Sequence, residues 1–499
     1  MTEQSLDQDQ GITEITVQGF KSLYEESRIE IRPLTVLAGA NSSGKSSMMQ
    51  PLLLMKQTLE VLYDPGALLI NGPNVKFTSG SQLLSNTFSS NDQFSVAIKT
   101  DKYSSIKIIF QRENLGINSF RVSQFTENLD KDNEIVYCQE MSSGELSNLV
   151  FRKELSDRIY KQTQAIFIKE SRSIFEEAKD WVQEIIENAK KRWLFKVASN
   201  RCFFQLNAIN NYPDQIDSPQ NSTPLYLSMQ NHLFAYLNDI SNIAFSDQYF
   251  GPYLSFRFTR LSAPYLKIIH LPGLRGTPER TYPITGVKNQ FPGTFDNYFA
   301  SIIYHWQATQ NSKIEELNKY LQDLGLTSKV TASRPNDVNI ELQVGLSKDI
   351  SDTVVNIADV GLGVSQVLPV LVALLVAEPG QLVYLEQPEL HLHPRAQANL
   401  AQPLIDAANR GVKVVVETHS DLLLTRIKTL VAEEAIDPAK LILHWFSRGD
   451  DGITKINSKE LDKVGAYGEF PIDFSDVFFE EDRRYIDAAS KQLLAKNRK

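Results

Sequence analysis

The stretch that decides the fold is residues 34–47, Leu34-Thr-Val-Leu-Ala-Gly-Ala-Asn-Ser-Ser-Gly-Lys-Ser-Ser47. Gly39 and Gly44-Lys45-Ser46 have the spacing G-x-x-x-x-G-K-[ST], which marks a phosphate-binding loop when a strand precedes it and a helix follows. The apolar run 34–38 predicts a buried strand, and residues 47–55 predict a helix. This context disfavours a glycine-serine turn that matches by chance. The sequence therefore predicts a nucleoside-triphosphate site.

The chemistry of a phosphate site explains these residue types. Glycines adopt backbone angles that a side chain forbids, so main-chain N–H groups can turn towards phosphate oxygens. The N-terminus of the following helix adds partial positive charge. In such a loop we expect Lys45 to reach the outer phosphates and the Ser46 hydroxyl to hold Mg²⁺.

Composition sets broad limits on the protein. The 499 residues are enough for about three domains, and a hydrophobic content of 42% is typical of a globular chain. A formal net charge of −9 gives no overall sign of nucleic-acid binding, although a local basic patch stays open. Two cysteines, Cys138 and Cys202, without a C-x-x-C pattern, indicate a reducing compartment and no disulfide framework.

No stretch predicts export or membrane insertion. Residues 1–10 are polar and acidic, unlike a secretory signal. The longest apolar run, 367–377, contains Pro369 and is shorter than the ~20 residues that span a bilayer. We therefore expect a soluble, cytoplasmic protein without a membrane partner.

Two kinds of sheet are predicted. Uninterrupted apolar runs at 381–385 and 412–416 alternate with predicted helices at 367–377 and 395–409, which is typical of a parallel sheet. The runs at 12–20 and 28–33 predict two strands that lead into the loop. Three alternating runs separated by tight polar turns, at 93–99, 106–111 and 119–125, predict an antiparallel meander. The predicted fold class is α/β, with a strand-loop-helix core beside an antiparallel sublobe.

The middle of the chain is less informative. Residues 130–199 carry apolar side chains at helical spacing with charges between them. This pattern predicts two amphipathic helices, either packed on the core or extended as a short arm. Lys190-Lys-Arg-Trp193 either contacts a nucleic-acid backbone or complements a helix C-terminus.

The second half of a phosphate site is predicted at two strand ends. Glu386 ends the apolar strand 381–385, and His419 follows the end of the strand 412–416. Because ligands bind at the carboxyl ends of parallel strands, we expect both side chains beside the phosphate loop. A carboxylate near Mg²⁺ and a group that positions the attacking water are what phosphoryl transfer needs.

Four ordered motifs carry a family resemblance: Gly19-Phe-Lys-Ser22, the loop 39–47, Leu382-Val-Tyr-Leu-Glu-Gln-Pro-Glu-Leu-His-Leu-His-Pro394 and Val416-Glu-Thr-His-Ser420. Together they resemble the ABC-type ATPase heads of the SMC, RecF and OLD group, and most of all its stand-alone prokaryotic AAA family ATPases. The resemblance implies an ABC-ATPase head, with a P-loop parallel sheet, an antiparallel sublobe and a helical insertion.

The resemblance, which covers about 12–60 and 350–425, and the residue patterns elsewhere together predict a division of the chain into five segments. The two halves of the ATPase head are 1–129, with the phosphate loop, and 351–435, with the signature, Walker B and switch-histidine residues. The helical insertion is 130–199, and 200–350 forms the remainder of the first lobe and a connecting region. The last segment, 436–499, is a C-terminal hairpin and helix.

Site roles follow from the same resemblance, in which two heads sandwich two ATP molecules with Mg²⁺. His391 and His393 fall in the D-loop at the dimer seam. The implied metal-binding residues are Ser46, Glu386 and, as a first-lobe glutamine, Gln82. The implied catalytic residues are Glu386 as the Walker B carboxylate, Gln387, Glu389 and the switch histidine His419. The implied nucleotide-binding residues are Lys21, Gly39, Asn41, Ser42, Ser43, Gly44, Lys45, Ser46 and Ser47, with Gly361, Gly363 and Ser365 of the signature loop reaching the partner's nucleotide.

Three departures from the family pattern matter. The signature, usually Leu-Ser-Gly-Gly-Gln, is Val360-Gly-Leu-Gly-Val-Ser-Gln366 here, and the Walker B aspartate is Glu386. The usual catalytic glutamate is Gln387, which cannot take a proton from water. Either Glu389 serves as the base, or ATP acts mainly as a clamp and turnover stays below about 1 s⁻¹.

Competing functions stay open from sequence alone. The favoured hypothesis is an ATP-driven switch, a dimer or higher even oligomer, that acts on a separate nuclease or toxin in anti-phage defence, as Septu-type systems do. The alternative is a RecF-like clamp on DNA under ATP control. A small-molecule kinase is disfavoured because Glu386–Glu389 and Thr418-His419-Ser420 are not needed for one. His391, His393 and His419 could also form a zinc site.

Overall fold

The structure is a computed structural model. It describes residues 11–61, 67–85, 92–100, 105–112, 120–128, 134–138, 267–286, 290–345, 354–468 and 483–486. The strands are β1 (Glu14–Gln18), β2 (Ser27–Glu30), β3 (Leu34–Gly39), β4 (Gln93–Lys99), β5 (Ser105–Arg112), β6 (Phe120–Asn128), β7 (Glu134–Cys138), β8 (Ile269–Leu271), β9 (Tyr282–Pro283), β10 (Val330–Ser333), β11 (Asn339–Gly345), β12 (Val354–Asn356), β13 (Leu382–Glu386), β14 (Lys413–Glu417), β15 (Leu441–Arg448) and β16 (Thr454–Lys459). The helices are α1 (Lys45–Glu60), α2 (Phe299–Ala308), α3 (Lys313–Asp323), α4 (Leu362–Val376), α5 (Pro394–Asn399), α6 (Ala401–Asn409) and α7 (Asp421–Ala432).

The predicted phosphate loop follows a central strand of a six-stranded sheet. The strand order is β16-β15-β3-β14-β13-β8, and each neighbouring pair is parallel except β15 with β16. Every residue of β3 is buried, as its continuous apolar run predicts for a strand covered on both faces. The loop therefore starts from a rigid, buried base.

Successive residues of β3 face two separate cores. Leu34, Val36 and Ala38 pack with the helices α2, α3 and α4. Leu37 packs with α1 and with the antiparallel sheet. Because side chains alternate along a strand, one strand joins a helical layer on one face to a strand layer on the other.

The second large sheet confirms the predicted antiparallel sublobe. Its order is β2-β1-β4-β5-β6-β7, and all of its neighbouring pairs are antiparallel. With the parallel sheet it confirms the mixed α/β fold. The sheet continues to β7, within the stretch 130–199 assigned to a helical insertion. Residues 139–199 lie outside the described residues, and so does the basic run 190–193.

The structure differs from the sequence prediction after β13. The helical pattern 395–409 is two helices, α5 and α6, because Pro403 lies near the start of the second. Proline lacks the N–H that would bond to the carbonyl of Asn399, and its ring clashes with that carbonyl. The break falls at Leu400, directly after Asn399.

Segments distant in sequence meet in the parallel sheet. β8, from the region 200–350, pairs with β13, and β15 of the C-terminal hairpin pairs with β3. Among the described residues, no helix is long and apolar enough to cross a membrane.

Candidate nucleotide-binding site

The phosphate loop connects β3 to α1 through a tightly packed turn. Gly39 and Gly44 have φ values of 140° and 105°, and Ser42 has a φ of 61°. A Cβ on Gly39 would lie 2.1 Å from the Phe446 carbonyl oxygen, and one on Gly44 would lie 2.3 Å from Thr454 Oγ1. Both glycines are therefore required by backbone angle and by close contact with the hairpin β15–β16.

Lys45 is held inside its own loop. Its Nζ donates to the carbonyl oxygens of Gly39, 3.1 Å away, and Ala40, 2.9 Å away. Burial lowers the pKa of Lys45, and the charge of Glu417 partly opposes this. The nearby Ser43 Oγ is buried and has no hydrogen-bond partner among the described residues. The loop thus has donors that a phosphate would satisfy.

The carboxylate that faces the loop is Glu417, at the end of β14. Ser46 Oγ lies 3.0 Å and 2.9 Å from its two oxygens, and Tyr384 Oη donates to it over 2.9 Å. Burial raises the pKa of Glu417; Lys45 opposes this and the charge of Glu386 adds to it. Glu417 is not among the residues predicted from the sequence, although it ends a buried strand as Glu386 does.

Glu386 faces in a different direction. Its Oε1 lies 3.1 Å from His270 Nε2, and its Oε2 accepts from the Gly273 N–H over 3.2 Å. His270 is fully buried, stacks on the Tyr384 ring and contacts Asn74 Oδ1 through Nδ1 at 3.1 Å. Burial would raise the pKa of Glu386, but the contacts with His270, the Gly273 N–H and the charge of Arg275 together lower it. The magnesium role implied for Glu386 remains a prediction.

Gln387 and His419 lie at the same edge of the sheet. Gln387 has a φ of 41°, and its N–H donates to the Glu417 carbonyl over 2.8 Å. Burial lowers the pKa of His419, and the charge of Lys45 lowers it further. Positive φ at a non-glycine residue is costly and is found mostly at functional sites.

Glu389 holds the histidine turn. Its Oε1 accepts from Thr418 Oγ1 over 2.7 Å and from the His419 N–H over 2.9 Å. Its Oε2 is buried without a partner among the described residues, and burial raises its pKa. This arrangement favours positioning of the turn over contact with an attacking water.

A cavity of about 900 Å³ lies above the loop and joins these groups. Glu386, Glu389, Gly39, Gly361, Gly363 and Ser365 are not among its lining residues. The predicted residues that line it are Lys21, Asn41, Ser42, Ser43, Gly44, Lys45, Ser46, Ser47, Gln82, Gln387 and His419. Lining residues without a predicted role are Ser22, Gln50, Ser81, Leu84, Glu417, Arg448, Asp451 and Gly452.

Lys21 and Gln82 reach the cavity with side chains that already have partners. Lys21 Nζ donates to Gln50 Oε1 over 2.7 Å and lies 4.5 Å from the Phe77 ring centre. Gln82 Oε1 accepts from the Thr78 N–H over 2.9 Å. The predicted contact of Gln82 with Mg²⁺ would need that oxygen to change partners.

The residues predicted to form the signature loop lie next to His391 of the predicted D-loop, and none of them lines the cavity. Gly361 precedes α4, and Ser365 Oγ donates to the Leu362 carbonyl over 3.0 Å. A Cβ on Gly363 would lie 3.6 Å from the His391 carbonyl oxygen. The two family motifs thus share one surface. Among the described residues, no group of three or more His, Cys, Asp or Glu side chains is arranged to hold a metal.

A buried arginine joins this surface to the cavity edge. Arg275 donates to the carbonyl oxygens of Gln366, at 3.1 Å, and Gln387, at 3.1 Å. In return, Gln366 Nε2 donates to the Gly276 carbonyl over 3.0 Å. Burial lowers the pKa of Arg275 to about 10. The contacts link the start of α4 to the turn that carries Gln387.

The residues present fit a magnesium nucleotide. Ser46 and Glu417 offer hydroxyl and carboxylate oxygens, the ligand type that Mg²⁺ takes. Ser43 Oγ is a buried group without a partner in the described part of the chain, and a phosphate oxygen would satisfy it.

A phosphate loop on a parallel sheet, with an acid at the end of the neighbouring strand, is the arrangement of the P-loop NTPase class. The family model described as "AAA domain, putative AbiEii toxin, Type IV TA system" matches residues 126–425, more than half of the chain. The chain belongs to this family of AAA ATPases. The model described as "AAA ATPase domain" matches residues 11–196.

Solved structures similar to the chain include heads of SMC proteins. One is an Smc head domain with an extended coiled coil, bound to the C-terminal domain of ScpA, from Pyrococcus furiosus; it is 12% identical, with 95% of this chain and 99% of that chain covered and a TM-score of 0.40. The SMC head domain from Thermotoga maritima is 11% identical, with 90% and 98% covered and a TM-score of 0.31. No protein with a curated description matches the chain.

Proposed function

We propose that the chain binds Mg²⁺-ATP in the cavity above the phosphate loop, hydrolyses it slowly, and closes head to head on ATP to switch a separate nuclease or toxin. The observation that carries the ATPase part is the contact of Ser46 Oγ with both oxygens of Glu417. This contact lies in a cavity that Lys45, Gln387 and His419 also line.

Each side chain has a distinct task in this proposal. Lys45 leaves its two carbonyl partners to bind phosphate oxygens, and the loop N–H groups bind the rest. Ser46 and Glu417 hold the magnesium ion. When bound, Mg²⁺ neutralises charge on the phosphates.

Slow turnover follows from the groups near the attacking water. Gln387 can orient a water through its amide but cannot accept a proton from it. Glu389 is already bonded to Thr418 and His419 and does not line the cavity. Without a free carboxylate base, we expect a rate below about 1 s⁻¹.

Head-to-head closure is supported by the surface that carries the signature. Leu362, at the start of α4, is 42% exposed, and Leu274, next to Arg275, is 87% exposed. Arg275 links this surface to Gln387, so contact with a second head would reach the turn above the phosphates. The separate effector follows from the sequence resemblance to ATPases that act with a nuclease or toxin; the matching family model is itself described as a putative toxin of a type IV toxin–antitoxin system.

The test measures ATP binding, hydrolysis and mass in solution for the wild type, Lys45→Ala and Gln387→Ala. We expect Mg²⁺-dependent ATP binding that Lys45→Ala abolishes, and a doubled mass on ATP that Gln387→Ala preserves. A rate far above 1 s⁻¹ that Gln387→Ala abolishes would contradict slow clamping. Unchanged mass at saturating ATP would contradict closure.

The effector part needs a separate measurement. We expect the protein encoded next to this gene to co-purify in an ATP-dependent way and to change activity on ATP addition. ATP-dependent, salt-sensitive DNA binding without such a partner would instead support the DNA clamp.

A further inference from the structure

The nucleotide cavity has a wall that the hydrolytic residues do not use. This wall is the turn between β15 and β16, which we call the hairpin turn, residues 448–453. Arg448, Asp451 and Gly452 of the turn line the cavity together with the phosphate loop. None of the motifs described above includes it.

The hairpin turn is fixed to the phosphate loop. Thr454 Oγ1 lies 2.8 Å from the Ser43 carbonyl oxygen and 2.8 Å from Ser22 Oγ. The Thr454 N–H donates to the Ser22 carbonyl over 2.9 Å. Gly44 leaves no room for a Cβ against Thr454, so the loop and the strand that follows the turn are in close contact.

Strand order decides which end of a nucleotide meets this wall. The strands β14 and β13 lie on one side of β3. Glu417 ends β14, His419 follows β14 by two residues, and Gln387 directly follows β13. The hairpin turn follows β15, on the other side of β3. A triphosphate chain on the loop that directs its terminal phosphate towards the first group therefore directs its sugar and base towards the second.

The charges of the hairpin turn agree with this direction. Asp451 would repel phosphate oxygens, so a carboxylate there suits an uncharged group with hydroxyl donors. An acidic residue binds the ribose hydroxyls in dinucleotide-binding folds by the same chemistry. Asp451 Oδ1 accepts from the Ile453 N–H over 3.0 Å, which orients the carboxylate.

Arg448 offers a planar cation at the same wall. Its Nε donates to the Gly452 carbonyl over 2.9 Å, which fixes the guanidinium across the turn. A guanidinium in that position can stack on the face of an aromatic base.

We infer that the hairpin turn binds the nucleoside end of ATP: Asp451 accepts hydrogen bonds from ribose hydroxyls, and Arg448 stacks on the base. The inference rests on the proposed function, since it needs ATP at the phosphate loop. It adds a determinant of nucleotide choice that lies some four hundred positions after Lys45 in the chain.

The test titrates the full chain with ATP, 2′-deoxy-ATP, 3′-deoxy-ATP and tripolyphosphate, each with Mg²⁺. The variants are Arg448→Ala, Asp451→Ala and Asp451→Asn, which keeps an acceptor for the Ile453 N–H. Matched controls are Arg334→Ala and Asp337→Ala. Arg334 also bonds to its own turn, and neither control residue lines the cavity.

We expect wild-type protein to bind one deoxy analogue about ten-fold more weakly than ATP, the size of one lost hydrogen bond to a charged group. Asp451→Ala should reduce that ratio to below about two-fold, and Arg448→Ala should weaken ATP about two- to five-fold, as an exposed cation–π contact would. The affinity of the Arg448 and Asp451 variants for tripolyphosphate should equal that of the wild type. Both control variants should bind every ligand with wild-type affinity.

Two results would overturn the inference alone while ATP binding still depends on Lys45. One is an unchanged deoxy ratio in both Asp451 variants. The other is an equal loss of ATP and tripolyphosphate affinity in Arg448→Ala, which would mean a phosphate contact. Failure of the wild type to bind ATP, or equal binding by Lys45→Ala, would overturn the proposed function as well.

Discussion

The ends of β13 and β14 carry similar residues in different surroundings. Glu386 and Glu417 are partners in the register of the two parallel strands; Glu417 is buried, whereas Glu386 is partly exposed. Glu417 meets Ser46, Tyr384 and the charge of Lys45. Glu386 meets His270 and the Gly273 N–H instead. Burial acts on the pKa of both carboxyls, and the charge of Glu386 also acts on Glu417, yet the pKa is raised for Glu417 and lowered for Glu386.

The partners of an acid at the end of a strand therefore depend on which strand lies next to it in the sheet. β14 is next to β3, so its last residue lies beside the phosphate loop. β13 lies one strand further away, next to β8, which brings His270 to Glu386. Two like charges in neighbouring positions are tolerated because each has its own partners.

The largest expected effect separates the two carboxylates by isosteric substitution. Glu417→Gln should lower kcat by about a hundred-fold and weaken the Mg²⁺ dependence of ATP binding, because it removes a charge beside Ser46. Glu386→Gln should lower kcat by about ten-fold or less and leave the Mg²⁺ dependence intact.

Steady-state rates and ATP titrations over a range of Mg²⁺ concentrations measure both effects. The opposite ranking, with Glu386→Gln the more severe, would show that Glu386 turns to the metal when the nucleotide binds. The comparison drawn above would then hold only for the protein without nucleotide.

An intermediate effect is expected when the partner of Glu386 is removed. His270→Ala should cost about 1–3 kcal/mol of unfolding free energy, because it leaves Asn74 Oδ1 and Glu386 Oε1 without the ring nitrogens that they contact. It should also lower kcat, since Glu386 loses its orientation. Denaturant unfolding and ATPase rates measure the two changes.

The matched control for this variant is His444→Ala. His444 is equally buried and has two partners, Ser458 Oγ at 2.8 Å and the Glu30 carbonyl at 2.8 Å, on the other side of the sheet. We expect a similar loss of stability with an unchanged kcat. Equal loss of activity in both variants would mean that His270 acts only through overall stability.

The smallest expected effect concerns pH and Glu389. Because burial raises its pKa, the folded state keeps a proton that the unfolded state has already released between the ordinary carboxyl pKa and the raised one. Wild-type stability should therefore fall as pH rises through that window. Glu389→Gln cannot titrate, so its stability relative to the wild type should improve with rising pH.

Unfolding midpoints from pH 4 to pH 8 would measure this difference, with Glu315→Gln as an exposed control in α3. A constant difference between wild type and Glu389→Gln across the range would show that Glu389 does not hold its proton. The link between its burial and its pKa would then be refuted.

Much of the fold was predictable because local patterns agree with it. The alternating runs at 93–99 and 106–111 became β4 and β5, and the apolar run 34–38 became β3. The single helix predicted over 395–409 was wrong, because apolar spacing alone does not show that Pro403 lacks the N–H of a helical hydrogen bond. Residues 139–266 lie outside the described part, so the helical arm stays a prediction.

The candidate site was predictable where a motif fixes local backbone geometry. Gly39, Gly44 and Lys45 belong to one turn, and their tasks depend on a few neighbouring residues. Glu417 has the same strand-end position as Glu386 and could have been predicted from it, whereas nothing near His270 or Arg448 in the chain shows what they face. Their contacts come from strands that are joined only by the sheet.

The motif at 34–47 and the apolar patterns are sufficient to predict a phosphate loop between a buried strand and a helix, inside an α/β fold with an antiparallel sublobe. Spacing along the chain is enough for that, because backbone angles and strand burial are local properties. The tertiary structure was needed to show that Glu417 contacts Ser46, that His270 contacts Glu386 and that the hairpin turn lines the cavity. Those contacts depend on the order of strands in the sheet, which brings together residues hundreds of positions apart.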